Sequence, residues 1–124
     1  MKANELMIGD FVKIKITQHQ TRVTNLAGDS VYTDAAFPIR YDEIEPIPLT
    51  SEILEKLFTK KCKRYGIYDD FYDFELHEFN DSMWQAIYHN CEVSSIPDEC
   101  VNVCFMHELQ HFLSHCNIET EIKL

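Results

Sequence analysis

The chain has 124 residues, 45% of them hydrophobic and 26% charged, values that belong to one globular domain and exclude a disordered segment. Eleven Lys and Arg against 21 Asp and Glu give a net charge of −10, which disfavours direct binding to a nucleic-acid backbone through counterion release. The charge is uneven: residues 1–64 sum to +1, whereas residues 65–124 hold twelve acids and one base, Lys123, for −11.

From its first residues the chain reads as cytoplasmic. Met1-Lys2-Ala3-Asn4-Glu5 leads into no apolar run of signal-peptide length, and no window has the roughly 18 apolar residues of a membrane span. Five cysteines, Cys62, Cys91, Cys100, Cys104 and Cys116, fit reduced, buried thiols better than a disulfide framework.

Asp10–Thr17 alternates with period two, Val12, Ile14 and Ile16 falling on one face, and predicts a half-buried strand. A second strand is expected over Thr21–Leu26, a turn at Gly28-Asp29, a third strand over Ser30–Thr33 and an extended piece over Phe37–Tyr41. Pro46 and Pro48 keep the segment up to Leu49 extended and free of helix. So many short strands in so few residues predict an SH3-like small antiparallel β-barrel or curled sheet over residues 1–49.

Residues 50–124 are expected to add a linking helix, a β-hairpin, a C-terminal helix and a short terminal strand, all packed with the first part as one compact α+β unit. Thr50 is an N-cap with Leu49 and Leu54 as its hydrophobic staple. Ile53, Leu54, Leu57 and Phe58 form the buried stripe, and Lys60, Lys61, Lys63 and Arg64 gather at the helix C-terminus, where cations suit the dipole. Eight aromatics follow between Tyr65 and Tyr88. Tyr72, Phe74 and Leu76 alternate with Asp73, Glu75 and His77. Asn80-Asp81-Ser82 is a turn, and Trp84, Ala86 and Tyr88 share the face of a second strand, giving a hairpin aromatic on one side and acidic on the other. Such a strand repels phosphates, so its rings read as core and not as a platform for bases.

His107-Glu108-Leu109-Gln110-His111 matches H-E-x-x-H, in which two histidines hold zinc and the glutamate polarises water. Three considerations weigh against a zinc-dependent hydrolase at His107, Glu108 and His111. The pattern arises by chance in about three of a hundred such chains. His115 lies eight residues after His107, about 12 Å along a helix, too far to share an ion, which leaves only an upstream ligand such as His77, His89 or Cys91. Finally, Phe105, Met106, Leu109, Phe112, Leu113 and Cys116 form one apolar arc, which leaves His107, Glu108, His111 and His115 on the opposite side, the histidines facing water unless another segment covers them. Cys100-x3-Cys104-x2-His107-x3-His111 has zinc-ligand residue types without a finger's spacer. No metal, cofactor or catalytic residue is therefore assigned.

Three segments carry a resemblance. Met1-Lys2-Ala3-Asn4-Glu5-Leu6-x-Ile8-Gly9-Asp10, Ile44-Glu45-Pro46-Ile47-Pro48-Leu49-Thr50-x-Glu52-Ile53-Leu54 and His107-Glu108-Leu109-Gln110 resemble a group of short uncharacterised bacterial proteins, common in gut commensals and often carried by prophages or other mobile elements. The resemblance implies a small, soluble, cytoplasmic protein without assigned activity. The chain departs from the group in three places. Phe58 has no glycine near it, so the first helix can run on toward Cys62. His111 stands where the group has Asn, and Asn117 where it has the glycine that ends the last helix, a left-handed position that Asn also tolerates.

The leading expectation is a non-enzymatic protein–protein interaction module of a mobile element or its host, contacting a protein partner through the acidic half. An acidic nucleic-acid mimic is an alternative. The acidic surface should hold His77, His107, His111 and His115, so its charge falls as they protonate near pH 6.

Overall fold

The structure is a computed structural model that describes residues 1–35, 37–61, 64–68, 72–80, 83–90, 98–119 and 122. Its class is α+β, with two antiparallel sheets and two α-helices among the described residues. The chain divides into two compact units: Met1–Pro48 with Phe105–His111, and Leu49–Cys104 with Phe112–Leu124.

In the first unit, β1 (Phe11–Ile14), β2 (Gln20–Ala27), β3 (Ser30–Thr33) and β4 (Ile39–Arg40) form a meander. A 3-10 turn at Tyr41–Glu43 leads into β5 (Ile44–Pro46), which returns to pair with β1. The ladder order is β4-β3-β2-β1-β5, and among the described residues it does not close. β2 serves two partners. Gln20–Arg22 pair with β1, the register shifts between Val23 and Asn25, and the remainder pairs with β3. Such an irregularity bends a strand and increases its twist. Pro46 is tolerated because β5 is an edge strand. Gly28, at φ +58°, occupies the first position of the two-residue β2–β3 loop, where primed hairpin turns call for glycine. Leu6, Val12, Val23, Val31, Ile39 and Ile44 make the core. Each such side chain contributes about 1.5–3 kcal/mol of burial.

Two expectations for this unit are corrected. The first strand ends at Ile14, whose N–H donates to the His19 carbonyl and whose carbonyl accepts from the Gln18 N–H. Gln18 takes a left-handed conformation (φ +57°) to close that loop, which leaves Ile16 86% exposed. In the fourth extended piece only Ile39–Arg40 pair, and Phe37 is exposed.

In the second unit, α1 (Ser51–Leu57) begins as the sequence dictates. The Thr50 hydroxyl accepts from the Ile53 N–H, and Leu49 and Leu54 are both buried. The helix stops at Leu57 and does not continue toward Cys62. Phe58 is already extended (φ −131°, ψ 157°), and its ring packs 5.7 Å from that of Phe74. Lys60 and Lys61 therefore do not stand at a helix end. They lie in β6 (Thr59–Lys61), Arg64 opens β7 (Arg64–Tyr68), and Lys63 lies outside the described residues.

The hairpin forms with the expected faces as β8 (Tyr72–Asn80) and β9 (Met83–Asn90); Asp81 and Ser82 of its turn, like Phe71, lie outside the described residues. β10 (Glu99–Val103) completes a sequential meander, β10-β9-β8-β7-β6. Tyr65, Phe74, Leu76, Trp84, Ala86 and Val103 are buried on one face. The Tyr65–Trp84 and Phe74–Phe112 pairs, with ring centroids 5.8 and 6.0 Å apart, lie at aromatic-contact separations. Gly66 sits on the opposite face, where the Phe74 carbonyl and the Tyr68 ring leave no room for a Cβ.

The second helix, α2 (Met106–His115), contributes Phe112–His115 to this unit. It ends in a full Schellman motif: the Asn117 N–H donates to the Ser114 carbonyl and the Ile118 N–H to that of Leu113. Asn117 is left-handed (φ +58°), as the resemblance implies for it, and Ile118 is buried behind it. Of the short terminal strand expected over Ile118–Ile122, Ile118, Glu119 and Ile122 are not in a strand, and Thr120 and Glu121 lie outside the described residues.

Candidate functional site

The H-E-x-x-H run occupies the start of α2 and belongs to the first unit as far as His111. Each of its residues is engaged. Glu108 Oε1 accepts a 3.0 Å hydrogen bond from the Phe105 N–H, reaching back over the first turn as the glutamate of a capping box does. The Met106 N–H donates to the Ile47 carbonyl at 2.8 Å, so the helix start is also tied to the segment after β5. Leu109 is wholly buried. Gln110 grips the entry to β1 with both ends of its amide: Nε2 donates to the Gly9 carbonyl at 2.9 Å, and Oε1 accepts from the Phe11 N–H at 2.8 Å.

Between those two contacts lies Asp10, 2% exposed. Its carboxylate accepts from His111 Nε2 at 2.8 and 3.0 Å and from the Met7 N–H at 2.8 Å. Gly9, at φ +98°, makes the turn that brings Asp10 inward, a conformation costly for any residue with a Cβ. His107 stacks against Phe105 and meets His111 edge-on, ring centroids 5.7 Å apart.

His107 is 5% exposed, and its Nδ1 has no hydrogen-bond partner. Burial lowers its pKa from the ordinary imidazole value; Asp10, Glu108 and Glu5 oppose that shift and His111 adds to it. The sequence left His107 facing water unless another segment covered it, and it is covered. On this side of the helix Gly9, Asp10 and Phe11 contact Gln110 and His111, a meeting of distant segments that helical periodicity cannot display. His111 is half-buried for the same reason, and only His115 is well exposed.

His111 directs Nε2 at Asp10, Glu108 is spent on the helix cap, and no three His, Cys, Asp or Glu side chains among the described residues form a group able to hold a metal. Of the upstream ligands considered, His77 and His89 lie on β8 and β9 of the second unit, and Cys91 lies outside the described residues. Cys100 is exposed and Cys104 half-buried, neither in a disulfide among the described residues; Cys62 also lies outside the described residues. Asp10 and Gln110 were not singled out in the sequence. They stand in two separate segments of the sequence, Ile8-Gly9-Asp10 and His107–Gln110, which the fold joins.

A second constellation lies on the polar face of the second sheet and centres on Glu75. Its carboxylate receives the Tyr68 hydroxyl at 3.2 Å and Arg64 Nη1 at 3.5 Å, with His77 Nε2 3.8 Å away. Desolvation, with Glu75 beside it, raises the Tyr68 pKa. His89, on the next strand, hydrogen-bonds Asp98, which raises the imidazole pKa. Glu99, at the start of β10, contacts His115 Nε2 at 3.3 Å and the Cys116 thiol at 3.6 Å. Burial and Glu99 push that thiol up to about 12, so it is not a nucleophile at neutral pH.

No family model matches the chain, and no curated protein or solved structure matches it. Among the described residues no helix is long and apolar enough to cross a membrane.

Proposed function

We propose that the protein is a non-enzymatic interaction module of a bacterial mobile element or its host, working in the cytoplasm and binding another protein through its acidic second unit. The observation that carries this reading is the polar face of the second sheet. Asp73, Glu75, His77 and His89 lie there, Arg64 and, by strand register, Lys61 stand at its β6 side, and residues 65–122 contain no Lys or Arg. The net charge of −11 over residues 65–124, to which Asp73 and Glu75 contribute, attracts a basic partner and repels nucleic acid. The first unit supports the same reading as an SH3-like scaffold. It has four meandering strands, a 3-10 turn, and a fifth strand returning to the first, with the second strand bent between two ladders. The engaged state of Glu108, Gln110 and His111 accounts for the H-E-x-x-H run as a fastener of that scaffold.

The test is capture from a bacterial lysate on the immobilised protein at about 50 and about 300 mM salt, which changes charge screening substantially. The parent retains a protein partner at low salt and sheds it at high salt, and Asp73→Asn/Glu75→Gln, checked for folding by circular dichroism, retains less. Absence of any partner at both salts overturns the proposal. A captured protein that DNA displaces points to mimicry of nucleic acid.

A further inference from the structure

The two edges of the second sheet are built differently. At one edge, β6 places Lys60 and Lys61 on a three-residue strand, and short, lysine-bearing edges resist pairing with foreign strands. At the other edge, β10 reads Glu-Cys-Val-Asn-Val and pairs with β9 through five consecutive positions without a register shift. It carries no Lys, Pro or bulge, four of its five residues are exposed, and Val101 is 39% exposed. Among the described residues nothing pairs with its outer side. Beside it lies an open groove of about 400 Å³, lined by Glu99, Cys100, Val101, Phe112 and His115.

We propose that the β10 edge accepts an extended, basic segment of the partner protein as an added strand. This rests on the interaction-module reading and specifies how the partner is held. The outer backbone groups of β10, unpaired among the described residues, supply hydrogen bonds, Val101 and Phe112 receive an apolar side chain, and the exposed carboxylates of Asp98 and Glu99, which exchange their His89 and His115 contacts for it, select Lys or Arg on the incoming strand. A second copy of this chain is the wrong occupant. Its own β10 brings Asp98 and Glu99 with it, from a segment carrying −11.

The test uses the full chain and a fluorescent octapeptide alternating valine and lysine, read by anisotropy at low salt. Saturable binding is expected. It should weaken about tenfold when alternate backbone amides of the peptide are N-methylated, because two or more hydrogen bonds are lost. Replacing the peptide's lysines by glutamates, or making Val101→Lys in the protein, should weaken it comparably. Absence of binding overturns the proposal, as does equal affinity for the N-methylated peptide. Self-association of the protein that the peptide abolishes overturns it too, by giving the edge to a second copy. The proposal and the broader reading can fail separately. A lysate partner that survives Val101→Lys but is lost on Asp73→Asn/Glu75→Gln removes strand addition and keeps the module. A peptide that binds while no lysate protein does removes the module and keeps the edge.

Discussion

Asp10 and His107 show two ways of placing a titratable group in an interior. Asp10 has a partner for each demand of its carboxylate, the His111 imidazole and the Met7 N–H, so its burial is compensated. His107 has an unpartnered Nδ1, and burial disfavours its protonated form. In the unfolded chain that imidazole titrates near its ordinary value, so below it the unfolded state binds the extra proton and the folded state does not. Stability is therefore full above about pH 6.5 and declines as the pH falls, with a slope of at most about 1.4 kcal/mol per pH unit. The exposed His89–Asp98 pair has the opposite sign but is screened by solvent. Urea-unfolding midpoints compared at about pH 7.5 and about pH 5.5 should fall for the parent and fall less for His107→Gln. Equal drops in both proteins would remove His107 as the cause.

At the scale of the element, α2 is specified at both ends by side-chain chemistry rather than by propensity alone. Glu108 closes the first turn onto the Phe105 N–H, and Asn117 closes the last in a left-handed conformation. Removing the cap in Glu108→Ala should cost about 1 kcal/mol, with Glu108→Gln close to neutral because it keeps an acceptor. Asn117→Gly should be neutral or stabilising, since glycine adopts positive φ without a Cβ clash. Thermal unfolding should rank the four proteins in that order, and a Glu108→Ala protein as stable as the parent would contradict the capping role. The Thr50 cap was legible in the sequence because it acts within a few residues of itself, whereas the Asn117 terminus came only from the resemblance. β6 was not. Lysines after a helical stripe look the same at a helix end as on an edge strand, and burial of Phe58 beside Phe74 decides between them. β10 has only a weak alternation of its own, and it becomes a strand because β9 offers it a ladder.

Across the whole molecule, the uneven charge was legible from residue counts, and so was the aromatic hairpin that carries part of it. The role of the H-E-x-x-H run was not, because it depends on Gly9, Asp10 and Phe11, roughly a hundred positions away, covering a helix face that looks solvent-facing when read alone. That covering is the ground on which we propose a fastener and not a zinc centre. The direct measurement is the zinc content of untagged protein purified without chelator, set beside His111→Ala. The account predicts zinc well below one per chain and no change in the variant. Zinc near one per chain, lost on His111→Ala, would contradict it.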